Sequence, residues 1–442
     1  MKDEEEEKRP VSGRRGLWLW IGLLLVALVL RLGAGFWWQS RLGGQFGFPD
    51  SESYWALAHS IAQGQPYQFG QADAKVFRTP GYPLLLAPLF LWGGPEPPVI
   101  WARVLSALFG TAAIVCVGSL GLVLFNRRVA LVAAALAAFY PGAVALGAFV
   151  LSEAPFCPLV VAHLTVWAIA WKTRSKRRSL LYAGVAGLLA GAATLVRPSW
   201  LLFVPFAVLL GILLGANPKR HAILGLSVLA GLMLAMTPWW VRNAVVTGHF
   251  VPTTLQVGAS LYDGLNPIAT GDSDMRFVPG WTEYLHAQSA KHPEQSRESF
   301  EYRLDRQLFQ AATAWAWRHP KDTIRLAGKK LWRFWRPWPS GEFSVKDSHE
   351  TFHPSFWVRA AFIFTLVPIV ILAIIGAWRT ARRGWPYVLC WLPAVYLSLI
   401  HAVFVSSIRY REPTMLPLMV LAAAVIVSRK SAKEGRLPLS GA

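Results

Sequence analysis

The chain has 442 residues, of which 54% are hydrophobic and only 15% are charged, and its formal net charge is +20. This composition excludes an ordinary soluble protein, which needs a larger share of charged surface. The positive charge could suggest nucleic acid, but the lysines and arginines stand in short clusters between long apolar runs, as the orientation signals of a membrane protein do. Three cysteines inside apolar runs, Cys116, Cys157 and Cys390, indicate neither a disulfide framework nor a metal site.

Apolar runs long enough to cross a hydrocarbon core recur along the chain. They begin near Leu17, Val99, Val129, Leu151, Leu180, Trp200, Ile223, Phe356, Trp385 and Met415. We therefore predict an all-α polytopic membrane protein with about ten transmembrane helices. The first run follows two arginines but has no small-x-small cleavage site, so we interpret it as a retained anchor and not as a cleaved signal peptide.

The short basic loops predict the orientation. All of them fall on one side when spans are counted alternately: Arg127–Arg128, Lys172–Arg178, Lys219–Arg220, Arg379–Arg383 and Arg429–Lys430. The positive-inside rule makes that side cytoplasmic. We expect both termini to be cytoplasmic and two long segments to be extracytoplasmic.

These spans divide the chain into a cytoplasmic disordered tail (1–16), a transmembrane domain (17–241) with a first outer loop (39–98), an extracytoplasmic and mostly helical segment (242–356), C-terminal transmembrane helices (357–428) and a cytoplasmic tail (429–442). The first outer loop is predicted to hold an amphipathic helix over 54–63. It also holds an apolar piece over 82–92 that is too short to span and should lie at the interface. The second outer segment is predicted to form helices over 296–318 and 322–336. The latter is basic and rich in tryptophan, which fits an interfacial helix or a surface helix equally well.

Carboxylates are almost absent from the membrane domain, and the exceptions are informative. Between Glu96 and Asp263 the only one is Glu153, and between Glu350 and the C-terminal tail the only one is Glu412. Charge at mid-membrane costs about 2.5–3.5 kcal/mol on insertion scales, so the scarcity of carboxylates there is expected.

Glu153 falls near the outer turn of a predicted helical hairpin. Asp50 and Glu52 follow the first span on the same side. Several arginines are also predicted at outer span ends: Arg78, Arg103, Arg197, Arg409 and Arg411. These charged residues either form a site at one membrane face or simply cap helices and snorkel to the interface.

The segment His349–His353 matches the zinc-protease pattern HExxH. That pattern binds zinc only on a helix, where both histidines share a face. Pro354 follows directly and disfavours helical geometry at His353. We interpret the match as chance.

Several motifs, taken in order, resemble one family. They are PDSESYWALAHSIAQGQPY, RTPGYPLLLAPLF, VLSEAPF, GAATLVRPSWLLFVPF, TPWWVRNAVVTGHFVPTTLQVGASLYDGLNP, WRHPKDTIRLAGKKLWRFW and SSIRYREPTMLPL. Together they resemble GT-C superfamily glycosyltransferases, in the branch of bacterial relatives of protein O-mannosyltransferases (family 39) and of the lipid A aminoarabinose transferase. They cover most of the chain.

The resemblance implies a GT-C-like fold in a bacterial inner (cytoplasmic) membrane. It implies transfer, with inversion, of a hexosyl or pentosyl group from a polyprenyl-phosphate donor to a lipid, glycan or protein acceptor at the extracytoplasmic face. No nucleic acid is implied. Cofactors are left unknown; a divalent metal is compatible with the resemblance but not required by the sequence.

The resemblance also implies roles for single residues. Asp50 matches the base of the family and Glu153 its second acidic position, while the role of Glu52 beside Asp50 stays open. Arg78 matches the residue that meets the donor phosphate. The remaining expected phosphate-binding residues are Arg409 and Arg411, which match more loosely, with Arg197 and Tyr82. A carboxylate that takes the acceptor proton and arginines that bind phosphate suit this chemistry.

Two alternatives remain open at this stage. A membrane glycan polymerase or ligase would also have about ten spans and a large outer loop. A lipid or solute transporter or flippase would place ionisable groups near the midplane, often in two similar halves, and the sequence has neither feature.

Overall fold

The computed structural model of the chain describes residues 13–70, 74–291, 298–339 and 354–433. Every regular element among these residues is helical, which confirms the predicted all-α class. The HExxH segment, interpreted above as a chance match, lies outside the described residues.

Helices follow one another along the whole described chain. They are α1 (Gly13–Arg41), α2 (Pro49–Ala62), α3 (Gly81–Gly93), α4 (Val99–Leu124), α5 (Arg127–Phe139), α6 (Pro141–Leu146), α7 (Glu153–Lys172), α8 (Lys176–Val196), α9 (Phe203–Leu214), α10 (Pro218–Thr247), α11 (Val257–Gly264), α12 (Val278–Lys291), α13 (Phe300–Arg318), α14 (Pro320–Trp335), α15 (Phe356–Thr380), α16 (Leu392–Val403) and α17 (Glu412–Lys433). Within the described residues, seven of them are long and apolar enough to cross a membrane: α1, α4, α7, α8, α10, α15 and α17. The chain is therefore an integral membrane protein.

Three predicted spans appear as shorter helices, and a proline lies at each interruption. The run near Val129 is divided into α5 and α6 at Pro141, and the run near Trp200 begins with a 3-10 turn at Pro198 before α9. The run near Trp385 contains a 3-10 turn after Pro386 and continues as α16. Proline removes a main-chain donor and clashes with the preceding turn, which favours a break at these positions, although other helices, such as α7 and α10, continue through an internal proline.

Small residues let the long helices approach closely. A methyl group added to Gly187 of α8 would collide with the carbonyl of Val228 in α10, and one added to Gly231 of α10 would collide with the carbonyl of Gly184. In a lipid bilayer there is no hydrophobic driving force between helices, and close packing of this kind holds them together instead. The contact fixes the position of α8, whose C-terminal end carries Arg197.

The first outer loop differs from its prediction at one point. The helix predicted over 54–63 begins instead at Pro49, so Asp50 and Glu52 lie inside its first turn. Proline suits the first helical position, because its missing N–H would be unpaired there in any case. The apolar piece predicted over 82–92 forms α3, with 13 residues.

The segment between α10 and α15 forms α11 to α14 over a small separate core of Leu261, Leu265 and Ala312. Its boundary differs slightly from the predicted 242, because α10 continues to Thr247. The helix predicted from 296 begins at Phe300, and the one predicted from 322 begins at Pro320. Lys330 of α14 is fully buried and donates to the carbonyl of Val403, which ties this segment to the helix bundle.

Candidate active site

Five charged side chains that are distant in sequence meet at one end of the helix bundle. They are Asp50 in the first turn of α2, Arg78 in the loop before α3, Glu153 at the start of α7, Arg197 at the end of α8 and Arg409 in the 3-10 turn before α17. We call them the ionic cluster. Both acids lie at helix N-termini and Arg197 at a helix C-terminus, which is the polarity that the helix dipole favours.

Local sequence explains how two of the arginines reach the cluster. Pro198 disfavours helical geometry at the residue before it, and Arg197 is accordingly extended, with φ −139° and ψ 114°. Gly81 lets the loop of Arg78 rest on this helix end, because a methyl group at Gly81 would lie 2.6 Å from the main-chain carbonyl of Leu195. The RTPGY and LVRPSW motifs are thus packed against each other.

Asp50 lies between two arginines. Its Oδ1 is 2.8 Å from Nη2 of Arg78, and its Oδ2 is 2.8 Å from Nη2 of Arg409. Burial by itself disfavours the ionised form, but the two guanidinium groups more than offset it, so the pKa of Asp50 lies well below its ordinary value. The carboxylate is charged and doubly paired in this state.

Glu153 is buried, with a side chain only 1% exposed. Its Oε2 lies 2.7 Å from Nη1 of Arg197, and its Oε1 lies 3.5 Å from Nε of Arg409. Arg409 therefore stands between the two carboxylates. Two acids (−2) and three arginines (+3) leave the ionic cluster with a net charge of +1.

Aromatic rings line the guanidinium groups. The ring of Tyr410 lies 5.0 Å from the guanidinium carbon of Arg197 and 4.9 Å from that of Arg409. Tyr54 lies 5.2 Å from the guanidinium carbon of Arg78. Such cation–π contacts stabilise a cation and fix its plane without neutralising it. The positive charge therefore remains available to an anion.

One atom of the ionic cluster indicates that the site binds an anionic ligand. Nη1 of Arg409 is buried and has no hydrogen-bond partner among the described residues. A buried unpaired donor is costly, and a guanidinium N–H matches phosphate oxygens. A divalent metal suits the cluster poorly, because the carboxylates are already paired and the net charge is positive. The part of the chain that the structure describes also has no group of three or more His, Cys, Asp or Glu side chains that could hold a metal ion.

The other predicted residues have different surroundings. Arg411 is fully buried; it donates to the carbonyls of Phe334 and Arg336 and pairs with Glu412 instead of with the carboxylates of the ionic cluster. Tyr82 is buried with its ring 5.1 Å from that of Tyr54. Arg103 donates to the side chain of Gln39 and to main-chain carbonyls, as a structural residue does.

Sequence analysis missed several residues that contact the cluster, among them Ser53, which accepts a hydrogen bond from Nε of Arg78. Ser152 accepts a hydrogen bond from Arg197 and another from Tyr54, and Tyr410 lies between Arg197 and Arg409. For Ser152 and Tyr410 the only available signal was their position next to Glu153 and Arg409. For Tyr54 it was the single helical turn that separates it from Asp50.

Comparisons with known proteins agree with this architecture. Residues 90–241 match the family described as dolichyl-phosphate-mannose-protein mannosyltransferase. The oligosaccharyltransferase of Archaeoglobus fulgidus in its apo form superposes with a TM-score of 0.59 at 15% identity, over 97% of this chain and 53% of that chain. The oligosaccharyltransferase AglB from the same organism, in complex with an inhibitory peptide and a dolichol-phosphate, gives a TM-score of 0.57 at 17% identity over the same shares. ArnT from Cupriavidus metallidurans bound to undecaprenyl phosphate gives 0.45 at 15% identity, over 96% of this chain and 80% of that chain.

No curated protein sequence matches the chain significantly. The chain spans about half the length of the oligosaccharyltransferases on which it superposes. At these identities the superpositions describe the fold, whereas the family match comes from the sequence itself. Residues 90–241 thus match that family by sequence, and the described chain shares the fold of these oligosaccharyltransferase structures.

Proposed function

We propose that the chain transfers a hexosyl or pentosyl group from a polyprenyl-phosphate donor to a hydroxyl group of a lipid, glycan or protein acceptor, with inversion. The observation that carries the proposal is the doubly paired Asp50 in a cluster of net positive charge. A base and a phosphate-binding group lie side by side there, as this reaction requires. The dolichol-phosphate in the AglB structure supports a lipid phosphate as the ligand of this fold.

Arg409 is the proposed centre of the phosphate site. It combines a buried unpaired Nη1 with contacts to both carboxylates, and the guanidinium groups of Arg197 and Arg78 flank those carboxylates. Arginine binds phosphate in a planar, bidentate manner that lysine cannot reproduce. The cluster lies at helix ends, where a lipid headgroup would be expected.

The reaction is a single displacement. The Asp50 carboxylate takes the proton of the acceptor hydroxyl, while that oxygen forms a bond to the anomeric carbon. The bond from the anomeric carbon to the phosphate oxygen breaks, and the leaving polyprenyl phosphate keeps the electron pair. The arginines stabilise the charge that develops on it, and one displacement inverts the anomeric centre.

Donor binding also activates the base in this proposal. Asp50 is a weak base while Arg78 and Arg409 both pair with it, because they hold its pKa low. The donor phosphate competes for these guanidinium groups and so returns basicity to Asp50. Glu153, buried against Arg197 and near Arg409, keeps those arginines oriented during the exchange. The donor should therefore bind before the acceptor.

The direct test uses purified protein with radiolabelled polyprenyl-phosphate sugars. We expect release or transfer of the labelled sugar together with free polyprenyl phosphate. Labelled product from nucleotide sugars alone would contradict the proposal. Movement of intact donor lipid across a vesicle membrane, without cleavage, would favour the flippase alternative.

A further inference from the structure

The loop that carries Arg78 is held in place by groups from distant parts of the chain. Val76 is fully buried; its N–H donates to Oε2 of Glu301 at 3.0 Å, and its carbonyl accepts from the N–H of Leu255 at 3.0 Å. The hydroxyl of Tyr67 donates to the carbonyl of Arg78 itself. The position of Arg78 thus depends on contacts made outside its own loop.

Glu301 is an unusual group to find in such a contact. It lies in the first turn of α13, is only 8% exposed, and its Oε1 has no hydrogen-bond partner among the described residues. Burial raises its pKa to about 7, and the main-chain N–H groups of Val76 and Lys75 and the charge of Arg242 only partly offset this. A buried carboxylate with so little compensation lowers stability. A fold retains such a group most readily where its contact serves a purpose.

We propose that Glu301 is a positioning residue for donor binding, and that it acts by fixing Val76 and thereby the guanidinium group of Arg78. This inference rests on the proposed function, since it assigns a role relative to the donor phosphate. Two residues of extended chain span at most about 7 Å, so a displaced Val76 moves Arg78 directly. A misplacement of about 1 Å is enough to impair a reactive geometry strongly.

The consequence is that the α11–α14 segment takes part in the site without touching the donor. Its helix α13 reaches across to the first outer loop, a separation of 225 residues along the chain. Glu301 is therefore a link between the two parts of the protein that flank the ionic cluster.

The same helix offers a matched control. Asp305, one turn after Glu301, is a half-buried carboxylate with a raised pKa, and its Oδ1 accepts a hydrogen bond from the N–H of Gly258 at 2.6 Å. That contact holds α11 and not the loop of Arg78. Removing either carboxylate should lower stability, but only the loss of Glu301 should affect donor binding.

The experiment measures donor KM, kcat and melting temperature for Glu301→Ala, Glu301→Gln and Asp305→Ala in the full chain. We expect Glu301→Ala to raise the donor KM by about threefold to about tenfold, which is the worth of one hydrogen bond, with a smaller change in kcat. Glu301→Gln keeps a carbonyl acceptor for Val76 and should restore most of the affinity. Asp305→Ala should lower the melting temperature while leaving the donor KM within about twofold.

Combining the change with Arg78→Ala separates this inference from the proposed function. If Glu301 acts through Arg78, Glu301→Ala should have no further effect on donor KM in the Arg78→Ala background. Full additivity of the two changes, or equal KM effects in Glu301→Ala and Asp305→Ala, would overturn the inference. A normal donor KM in Arg78→Ala alone would instead remove Arg78 from the phosphate site and count against the proposed function.

Discussion

At the scale of single residues, the sharpest prediction concerns Asp50. Asp50→Asn keeps size and shape but cannot take a proton, so kcat should fall by about 10²–10⁴-fold while the donor still binds. A capping role, the simpler alternative, receives no support, because Phe48 occupies the N-cap of α2 and no side chain caps that end. Single-turnover transfer with a saturating donor measures the effect. A rate near that of the wild type would rule out Asp50 as the base.

Arg409 and Arg411 provide a second, paired prediction. The sequence suggested the same role for both, whereas only Arg409 reaches Asp50 and Glu153. Arg411 pairs with Glu412 and donates to carbonyls of α14 and the residue after it. Arg409→Ala should therefore weaken binding of polyprenyl phosphate by about tenfold or more, and Arg409→Lys should recover only part of it. Arg411→Ala should instead lower the melting temperature with donor affinity unchanged. Equal losses of affinity would contradict this distinction.

The contrast between these residues explains how far sequence reasoning could go at this scale. Glu153 stood out because a membrane domain excludes carboxylates that have no purpose, and Asp50 stood out by its position after the first span and its match to the base of the resembling family. The pairing of Asp50 with Arg409 was not identifiable, since Arg409 lies 359 residues away in the chain. Two arginines separated by one residue differ mainly in side-chain direction, and direction is set by packing that the sequence does not display.

At the scale of elements, the contact between the loop of Arg78 and the end of α8 makes a prediction. Gly81→Ala would place a methyl group 2.6 Å from main-chain atoms of Leu195, so the loop must move away from Arg197. We expect a raised donor KM and a lowered melting temperature. Gly328→Ala in α14 is the matched control, because nothing lies within 4 Å of the added methyl group. If both substitutions leave the donor KM unchanged, the close approach does not matter to the site.

Helix α13 makes an element-scale prediction about pH. The pKa of Glu301 is raised by burial from 4.5 to about 7, so the folded chain binds more protons than the unfolded chain between these values. Stability contributed by this group is therefore full at low pH and declines as pH rises through that interval. Glu301→Gln cannot titrate, so its melting temperature relative to the wild type should rise between pH 5 and pH 7. A constant difference in melting temperature between the two proteins over this pH range would contradict the prediction.

The elements themselves were largely predictable, and their ends were not. Long apolar runs gave the membrane helices, but α2 begins at Pro49, five positions before the predicted start at 54. The prediction followed amphipathic periodicity, whereas the helix start is set by proline at its first position. That shift places Asp50 inside a helical turn, with its carboxylate held between Arg78 and Arg409.

At the scale of the whole molecule, orientation decides on which side of the membrane the reaction takes place. Every residue of the ionic cluster lies at the same end of the bundle as the α11–α14 segment, since Arg411 of the turn that carries Arg409 donates to the carbonyl of Phe334 in α14. The short basic loops, such as 172–178 between α7 and α8, connect the opposite helix ends. The positive-inside rule then predicts that the cluster is extracytoplasmic and both termini are cytoplasmic.

Cysteine labelling in intact cells tests this orientation. With Cys116, Cys157 and Cys390 replaced, the chain can carry a single new cysteine at Ser273, which is exposed in the segment between α11 and α12, or at Ser175, which is exposed in the basic loop before α8. An impermeant thiol reagent should label Ser273→Cys in intact cells and Ser175→Cys only after lysis. The two sites control for each other, because both are exposed and differ only in the predicted side. The reverse pattern would place the cluster in the cytoplasm, where the donor and acceptor proposed above would have to be sought instead.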